Sequence, residues 1–347
     1  MNDFYDLAPA EQADRLARLA QAACSLWDLG EIPVVSLIKC RENAVFQVAD
    51  AAGRRHVMRV HRAGYHTPEA LESELRWMSE LRGAGVATPA VVPDRDGHLF
   101  RHVTCDDVPD GRLVDVLTWV AGRPLGSLED GVGDTESAAA AFRETGRLMA
   151  RLHDHAEHWQ RPAGFTRHAW DLEGLLGETP LWGRFWELAV LDAEQRSLVL
   201  AARDLARADL LDFGDTADRY GLIHADFLPE NLLVDADDSA AVHLIDFDDA
   251  GFGWHLFDIA TSLFVAVGEP GFDTLLDAFA AGYRTERDLP DEHLTRLPLF
   301  FLLRGLTYLG WLHTRQETDT ARELTPVMVE AVTALAADYV ASAPVRH

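Results

Sequence analysis

Lysine is almost missing from this chain. Lys39 is the only one in 347 residues, and arginine supplies the remainder of the 31 basic side chains, against 57 acidic ones. The formal net charge of −26 repels phosphate backbones and anionic lipid. That argues against nucleic-acid or membrane binding and leaves room for a cationic substrate. Cysteine is also scarce. Cys24, Cys40 and Cys105 are scattered and odd in number, which gives neither a disulfide framework nor a metal spacing and fits a reducing cytoplasm. No apolar run approaches the roughly 18 residues of a membrane span. The opening stretch MNDFYDLAPAEQADRLARLAQAA begins acidic and reads as an amphipathic helix, without the basic and apolar regions of a secretory signal.

What is present is a globular balance, 48% hydrophobic and 25% charged, in a chain long enough for about two domains. Residues 33–61 alternate and are rich in β-branched side chains, which predicts three strands joined by two tight turns. Thr67 can cap a helix that has Pro68 in its first turn and stops at Gly83 and Gly85. VATPAVVPDRDGHLF and GRLVDVLTWV are expected to add two strands. Beyond Ala121-Gly122 the pattern turns helical, beginning with TESAAAAFRETGRLMARLHDHAEHW. The expected fold class is therefore α+β: a small antiparallel-sheet lobe with one helix, residues 1–118, then a larger, mainly helical lobe, residues 119–347. A hinge is expected at 118–122, and ligands favour the cleft between such lobes.

Residues 224–231 read HADFLPEN, and a second acidic knot, IDFDD, follows at 245–249. The intervening LLVDADDSAAVHLI reads as a β-hairpin turning near Asp237 or Asp238. Pairing its strands brings Asn231, which enters the first, beside Asp246, which leaves the second. Two hard oxygen ligands at one open edge suit Mg²⁺. Asp226, on the loop before the hairpin, is placed to act as a base beside that metal. An acid, an amide five residues later and an acid after the hairpin match the kinase order of base and metal ligands. The first lobe offers an independent sign. Arg59 lies on the third strand, and Glu74 shares the apolar helix face of Leu71, Leu75, Met78 and Leu81. An acid on such a face calls for a cation, and the Arg59–Glu74 pair would face nucleotide phosphates.

HADFLPENLLV, IDFDDAGFGWHLFDIA and GRLMARLHDHA together resemble the aminoglycoside phosphotransferase and choline kinase superfamily. Within it they are most similar to the branch of type II homoserine kinase, hydroxylysine kinase and the bacterial stress-response kinase. The resemblance implies a protein-kinase-like bilobal fold with ATP as donor and Mg²⁺ as metal. It implies Asp226 as catalytic base, Asn231 and Asp246 as metal ligands, His224 as a structural residue beneath the loop, and Asp258 as its brace. It places the Cys40–Asn43 turn, and so Asn43, at the nucleotide phosphates, and Thr118, Trp119 and Val120 at the adenine hinge. The chain departs from protein kinases in having CRENA for the glycine-rich turn, Ala225 within H-R-D, Asp248 in place of the D-F-G glycine, and Arg59 for the strand lysine. These departures point to the small-molecule branch.

The expected activity is transfer of the ATP γ-phosphoryl group to the hydroxyl of a small, amine-bearing metabolite: a hydroxy amino acid, an amino alcohol or an aminoglycoside. The alternatives are a stress-response-type protein kinase and a nucleotide-binding pseudokinase. Residues 298–313, PLFFLLRGLTYLGWLH, predict a buried helix that Arg304 interrupts. Arg304, Tyr308 and Trp311 share one face. Either Arg304 meets an internal carboxylate such as Asp249 or Asp258, or it holds an acceptor carboxylate with Tyr308 and Trp311 as walls.

Overall fold

The computed structural model describes residues 4–29, 34–40, 43–50, 52–128, 130–235 and 241–342. Contacts divide the chain into two units, Met1–Ala121 with Arg161–Arg167, and Gly122–Gln160 with His168–His347.

In the first unit, helix α1 (Pro9–Ala23) opens on Pro9 and buries Leu16, Leu19 and Ala20. Strands β1 (Val34–Cys40), β2 (Ala44–Ala49) and β3 (Arg55–Val60) follow, then helix α2 (Pro68–Gly83) and strands β4 (Phe100–Cys105) and β5 (Val108–Thr118). The strands form one antiparallel sheet in the order β1-β2-β3-β5-β4. Alternation puts Phe46, Val48, Met58, Val114 and Val116 in a core shared with Leu19 and Trp27. α2 begins where Thr67 Oγ1 accepts the Ala70 amide at 3.2 Å. It ends at Gly83, and Gly85 takes a left-handed φ of 85° that a side chain would disfavour. The strand expected over 86–100 is displaced, because β4 lies at Phe100–Cys105. Pro89 and Pro93 lack the amide a ladder needs, so this stretch touches the sheet through one isolated bridge, Val91 to Leu117. Asp94 then turns the chain by accepting the amides of Asp96 and His98 at 2.9 and 2.8 Å. The Cys40–Asn43 turn includes residues 41 and 42, which lie outside the described residues.

The second unit begins with the short strand β6 (Arg123–Pro124) and helix α3 (Thr135–His158), capped by the Asp134 side chain. Strand β7 (Ala169–Trp170), helices α4 (Leu172–Leu176) and α5 (Ala193–Phe213), and strands β8 (Tyr220–Ile223), β9 (Leu232–Val234), β10 (Val242–Leu244) and β11 (Gly251–Trp254) come next. Helices α6 (His255–Leu263), α7 (Phe272–Tyr283), α8 (Asp291–Leu294), α9 (Leu297–Thr314) and α10 (Asp319–Ser342) complete it. α3 and α7 pack so closely that a Cβ on Gly146 would lie 2.1 Å from the Phe279 carbonyl, and one on Gly282 would lie 1.8 Å from that of Arg143. α9 is apolar on every side and is buried against α6, α10 and α5. Each fully buried leucine on it, such as Leu302 or Leu309, stabilises the unit by about 1.5–3 kcal/mol. α10 is long and apolar enough to cross a membrane by composition alone. Here Ala321, Met328, Val332 and Ala336 are buried, and the helix packs on α9 and α5.

Candidate active site

β8 leads the chain to His224, Ala225 and Asp226. Beneath them lies Asp258 on α6, with no exposed surface. Its Oδ2 accepts the His224 amide at 2.9 Å and its Oδ1 the Ala225 amide at 2.7 Å. His153 of α3 donates from Nε2 to Asp258 at 3.1 Å and accepts the Tyr283 hydroxyl at Nδ1, 2.8 Å away. Burial pushes the Asp258 carboxyl up to about 6, against the pull of His224 and the two amides. Burial also lowers His224, and it holds His153 and its stacked neighbour His255 well below the usual histidine range. The His224 ring accepts the Asp226 amide at Nδ1 and donates from Nε2 to the Ile245 carbonyl at 3.1 Å. His224 thus packs under the loop and ties it to the end of the hairpin. Ala225 has φ 62°, a left-handed conformation that costs a residue with a Cβ about 1–2 kcal/mol. It turns the chain so that Asp226 follows.

Asp226 is held at both carboxylate oxygens. Asn231 Nδ2 donates to Oδ2 at 2.8 Å, and Arg304 Nη2 donates to Oδ1 at 2.9 Å. The Asn231 nitrogen also reaches the Asp226 carbonyl at 2.9 Å, so the amide oxygen is the atom left for a cation. β9 and β10 pair antiparallel with Leu232 opposite Leu244, and the Ile245 amide donates to the Asn231 carbonyl at 3.0 Å. This register places Asp246 just beyond the residue bonded to Asn231. Asp246 is exposed and has φ 67°. The turn expected near Asp237 and Asp238 lies outside the described residues. An amide oxygen and an exposed carboxylate at one hairpin end fit a small divalent cation that keeps several waters.

In the first unit, Arg59 Nη1 donates to Glu74 at 2.8 Å, as the apolar setting of Glu74 demanded. Two further partners were not expected. Arg59 Nε lies 3.0 and 3.2 Å from the oxygens of Asp115 on β5, and Arg167 Nη1 reaches the other Glu74 oxygen at 3.3 Å. Burial disfavours a charged Asp115, but Arg59 and His61, whose ring also contacts the carboxylate, together outweigh it and keep that carboxyl below its usual range. Asp115 did carry a signal: a lone acid between Val114 and Val116 in an apolar strand asks for a cation. Arg167 carried none, since it meets Glu74 from 93 residues away. Asn43 is buried, and its Oδ1 accepts the Arg62 amide at 3.2 Å. Thr118 ends β5 and accepts the Ala90 amide. Trp119 lies under the Arg55 guanidinium, 4.6 Å from it, and Val120 follows half-buried.

Arg304 meets an internal carboxylate, the first of the two readings, but the acid is Asp226 rather than Asp249 or Asp258, and Arg304 has 0% of its surface exposed. Its guanidinium carbon sits 4.5 Å from the Tyr308 ring and 5.3 Å from the Trp182 ring. Trp311 shares the helix face but is half-buried, beside Arg315.

A loop carboxylate held by an amide, an acid at the hairpin end, and a strand cation bound to a helix acid define a phosphoryl-transfer enzyme of protein-kinase-like fold. The model of the phosphotransferase enzyme family matches residues 37–296, and the chain belongs to that family. The structure of a microcompartment-associated aminopropanol kinase superposes with a TM-score of 0.82 at 36% identity, covering 94% of this chain and 98% of the other. An uncharacterised protein of Deinococcus radiodurans is 31% identical over 82% of this chain and 78% of its own. A homoserine kinase of Phenylobacterium zucineum is 30% identical over 66% of each. The chain is thus an ATP-dependent kinase that phosphorylates a hydroxyl of a small metabolite, using a nucleotide and a divalent metal.

Proposed function

We propose that the acceptor is a small amino alcohol without a carboxylate. Asp226 takes the proton as the alcohol oxygen bonds to the γ-phosphorus, the bond from that phosphorus to the bridging β,γ-oxygen breaks, and ADP leaves. Asn231, through its amide oxygen, and Asp246 would hold Mg²⁺, which would supply charge neutralisation at the phosphates. Arg59, fixed by Glu74 and Asp115, is assigned to the donor's phosphates, Asn43 to the turn that covers them, and Thr118, Trp119 and Val120 to its adenine.

The observation that carries the acceptor assignment is the occupation of Arg304. On α9 it was the cation available to an acceptor carboxylate, and it is buried against Asp226. A homoserine-like substrate would bring a negative charge toward a site without that receptor, inside a protein of net charge −26. An alkylammonium alcohol brings the complementary charge. The resemblance to an aminopropanol kinase points the same way.

The test is ATP-dependent ADP release across matched acceptors: 1-amino-2-propanol, ethanolamine, homoserine and 1-propanol. The amino alcohols should be turned over with the highest kcat/KM, at least tenfold above homoserine (about 1.4 kcal/mol). Preference for homoserine would overturn the acceptor assignment. Nucleotide binding without ADP release on any alcohol would return the chain to a binding module.

A further inference from the structure

Nothing in packing calls for a cation at Arg304. The helix around it is apolar, and a buried ion pair is often no more stable than well-packed apolar side chains of the same volume. The partner explains the residue better than the surroundings do. We propose that Arg304 is a positioning residue for Asp226, setting the backbone and the carboxylate of the base with one guanidinium. This rests on the assignment of Asp226 as the base.

Three features carry it. First, the two bonds are to neighbouring groups of the reacting loop. Nη2 meets Asp226 Oδ1 at 2.9 Å, and Nη1 meets the Ala225 carbonyl at 3.2 Å. Second, Ala225 is the strained residue of that loop, with φ 62°. Asp258 binds its amide from below at 2.7 Å, and Arg304 binds its carbonyl. A left-handed alanine persists only where its surroundings over-determine it, and here both of its peptide groups are held. Third, the guanidinium itself is fixed, lying against the Tyr308 and Trp182 rings.

With Asn231 on Oδ2 and Arg304 on Oδ1, rotation of the Asp226 carboxylate is blocked from both sides. A carboxylate offers about four lone-pair directions, so the proton of an acceptor hydroxyl can still be taken. Arg304 keeps the direction of that lone pair constant from one turnover to the next. A displacement of about 1 Å at a reacting group can cost roughly 100-fold in rate.

The experiment compares Arg304→Met, Arg304→Lys and Arg304→Ala with Asp226→Asn in the full chain. Melting temperature, Mg-ATP affinity and kcat with the best acceptor are read for each. Arg304→Met should lower kcat by about 100-fold while the KM for ATP stays within about twofold. Arg304→Lys should recover part of the loss, since one ammonium can hold the carboxylate but not the carbonyl as well. Guanidinium chloride, at concentrations below those that unfold the protein, should restore some kcat to Arg304→Ala, and equal sodium chloride should not. A wild-type kcat in folded Arg304→Met, with Asp226→Asn inactive, would overturn the inference and leave the base assignment standing. Should Arg304→Met fail to fold, Arg304→Lys decides, and a wild-type kcat there has the same meaning. An active Asp226→Asn would instead remove the assignment on which the inference rests.

Discussion

Arg59 in the first unit and Arg304 in the second are both buried cations on elements that are otherwise largely apolar, but their partners differ in kind. Arg59 stands between two buried carboxylates, Glu74 and Asp115, and Glu74 is shared with Arg167. Two arginines thus face two acids, and all of these groups belong to scaffold elements or to the segment packed on them. Arg304 faces one carboxylate, one carbonyl and two aromatic rings, and the carboxylate is the candidate base. The first arrangement fixes a cation by surrounding it with anions. The second fixes an anion with a cation. Damage to the first should therefore be felt as lost stability and weaker nucleotide binding, whereas damage to the second should be felt in the chemical step.

The largest expected effect that separates the two is on folding. Asp115→Ala breaks a buried pair and should cost about 3–5 kcal/mol in denaturant unfolding of the whole chain. Arg59→Lys should cost less, because a charge remains, but one ammonium cannot bridge both carboxylates, and the KM for ATP should rise. Wild-type stability in Asp115→Ala would show that the cluster is not the anchor of the first unit.

A smaller effect sharpens the second unit. His153, His224 and His255 are buried with lowered pKa values. As pH falls below 6.5, the unfolded chain takes up protons that the folded chain refuses, and stability is lost. Asp258 acts in the opposite sense. Its folded pKa of about 6 lies above the unfolded value, so between pH 6 and 4 the folded state binds the extra proton and gains stability. Three histidines outweigh one aspartate between pH 6.5 and 5. Stability should fall there by on the order of 1–3 kcal/mol per pH unit, about 1.4 for each net proton. Melting curves at stepped pH would check this, and His153→Gln should flatten the slope. A melting temperature that rises as pH falls through this window would mean that Asp258 dominates.

What could be read from the sequence was local. The three strands at 34–60, the Thr67 cap, the hairpin register that sets Asn231 near Asp246, and the buried α9 follow from periodicity and turn chemistry within short windows. The Arg59–Glu74 pair was reachable because each sat on an apolar face and lacked a charge partner there. The pairs made by Arg304 and Arg167 were not reachable. Arg304 meets Asp226 across 78 residues, and Arg167 meets Glu74 across 93. No periodic pattern encodes such meetings, so a buried arginine announces only that some acid is near. The strand misplaced at 86–100 failed for a different reason, because apolar alternation was given more weight than the two prolines within it.

The most direct test of the central claim is calorimetric titration of Mg-ATP into Asp226→Ala and Asp246→Ala, with single-turnover rates measured on the same samples. Asp226→Ala should bind Mg-ATP as the unmodified chain does while its turnover falls by about 10²–10⁴, and Asp246→Ala should lose binding and turnover together. Loss of Mg-ATP in Asp226→Ala, with retention in Asp246→Ala, would contradict the division of base and metal ligand on which the account rests.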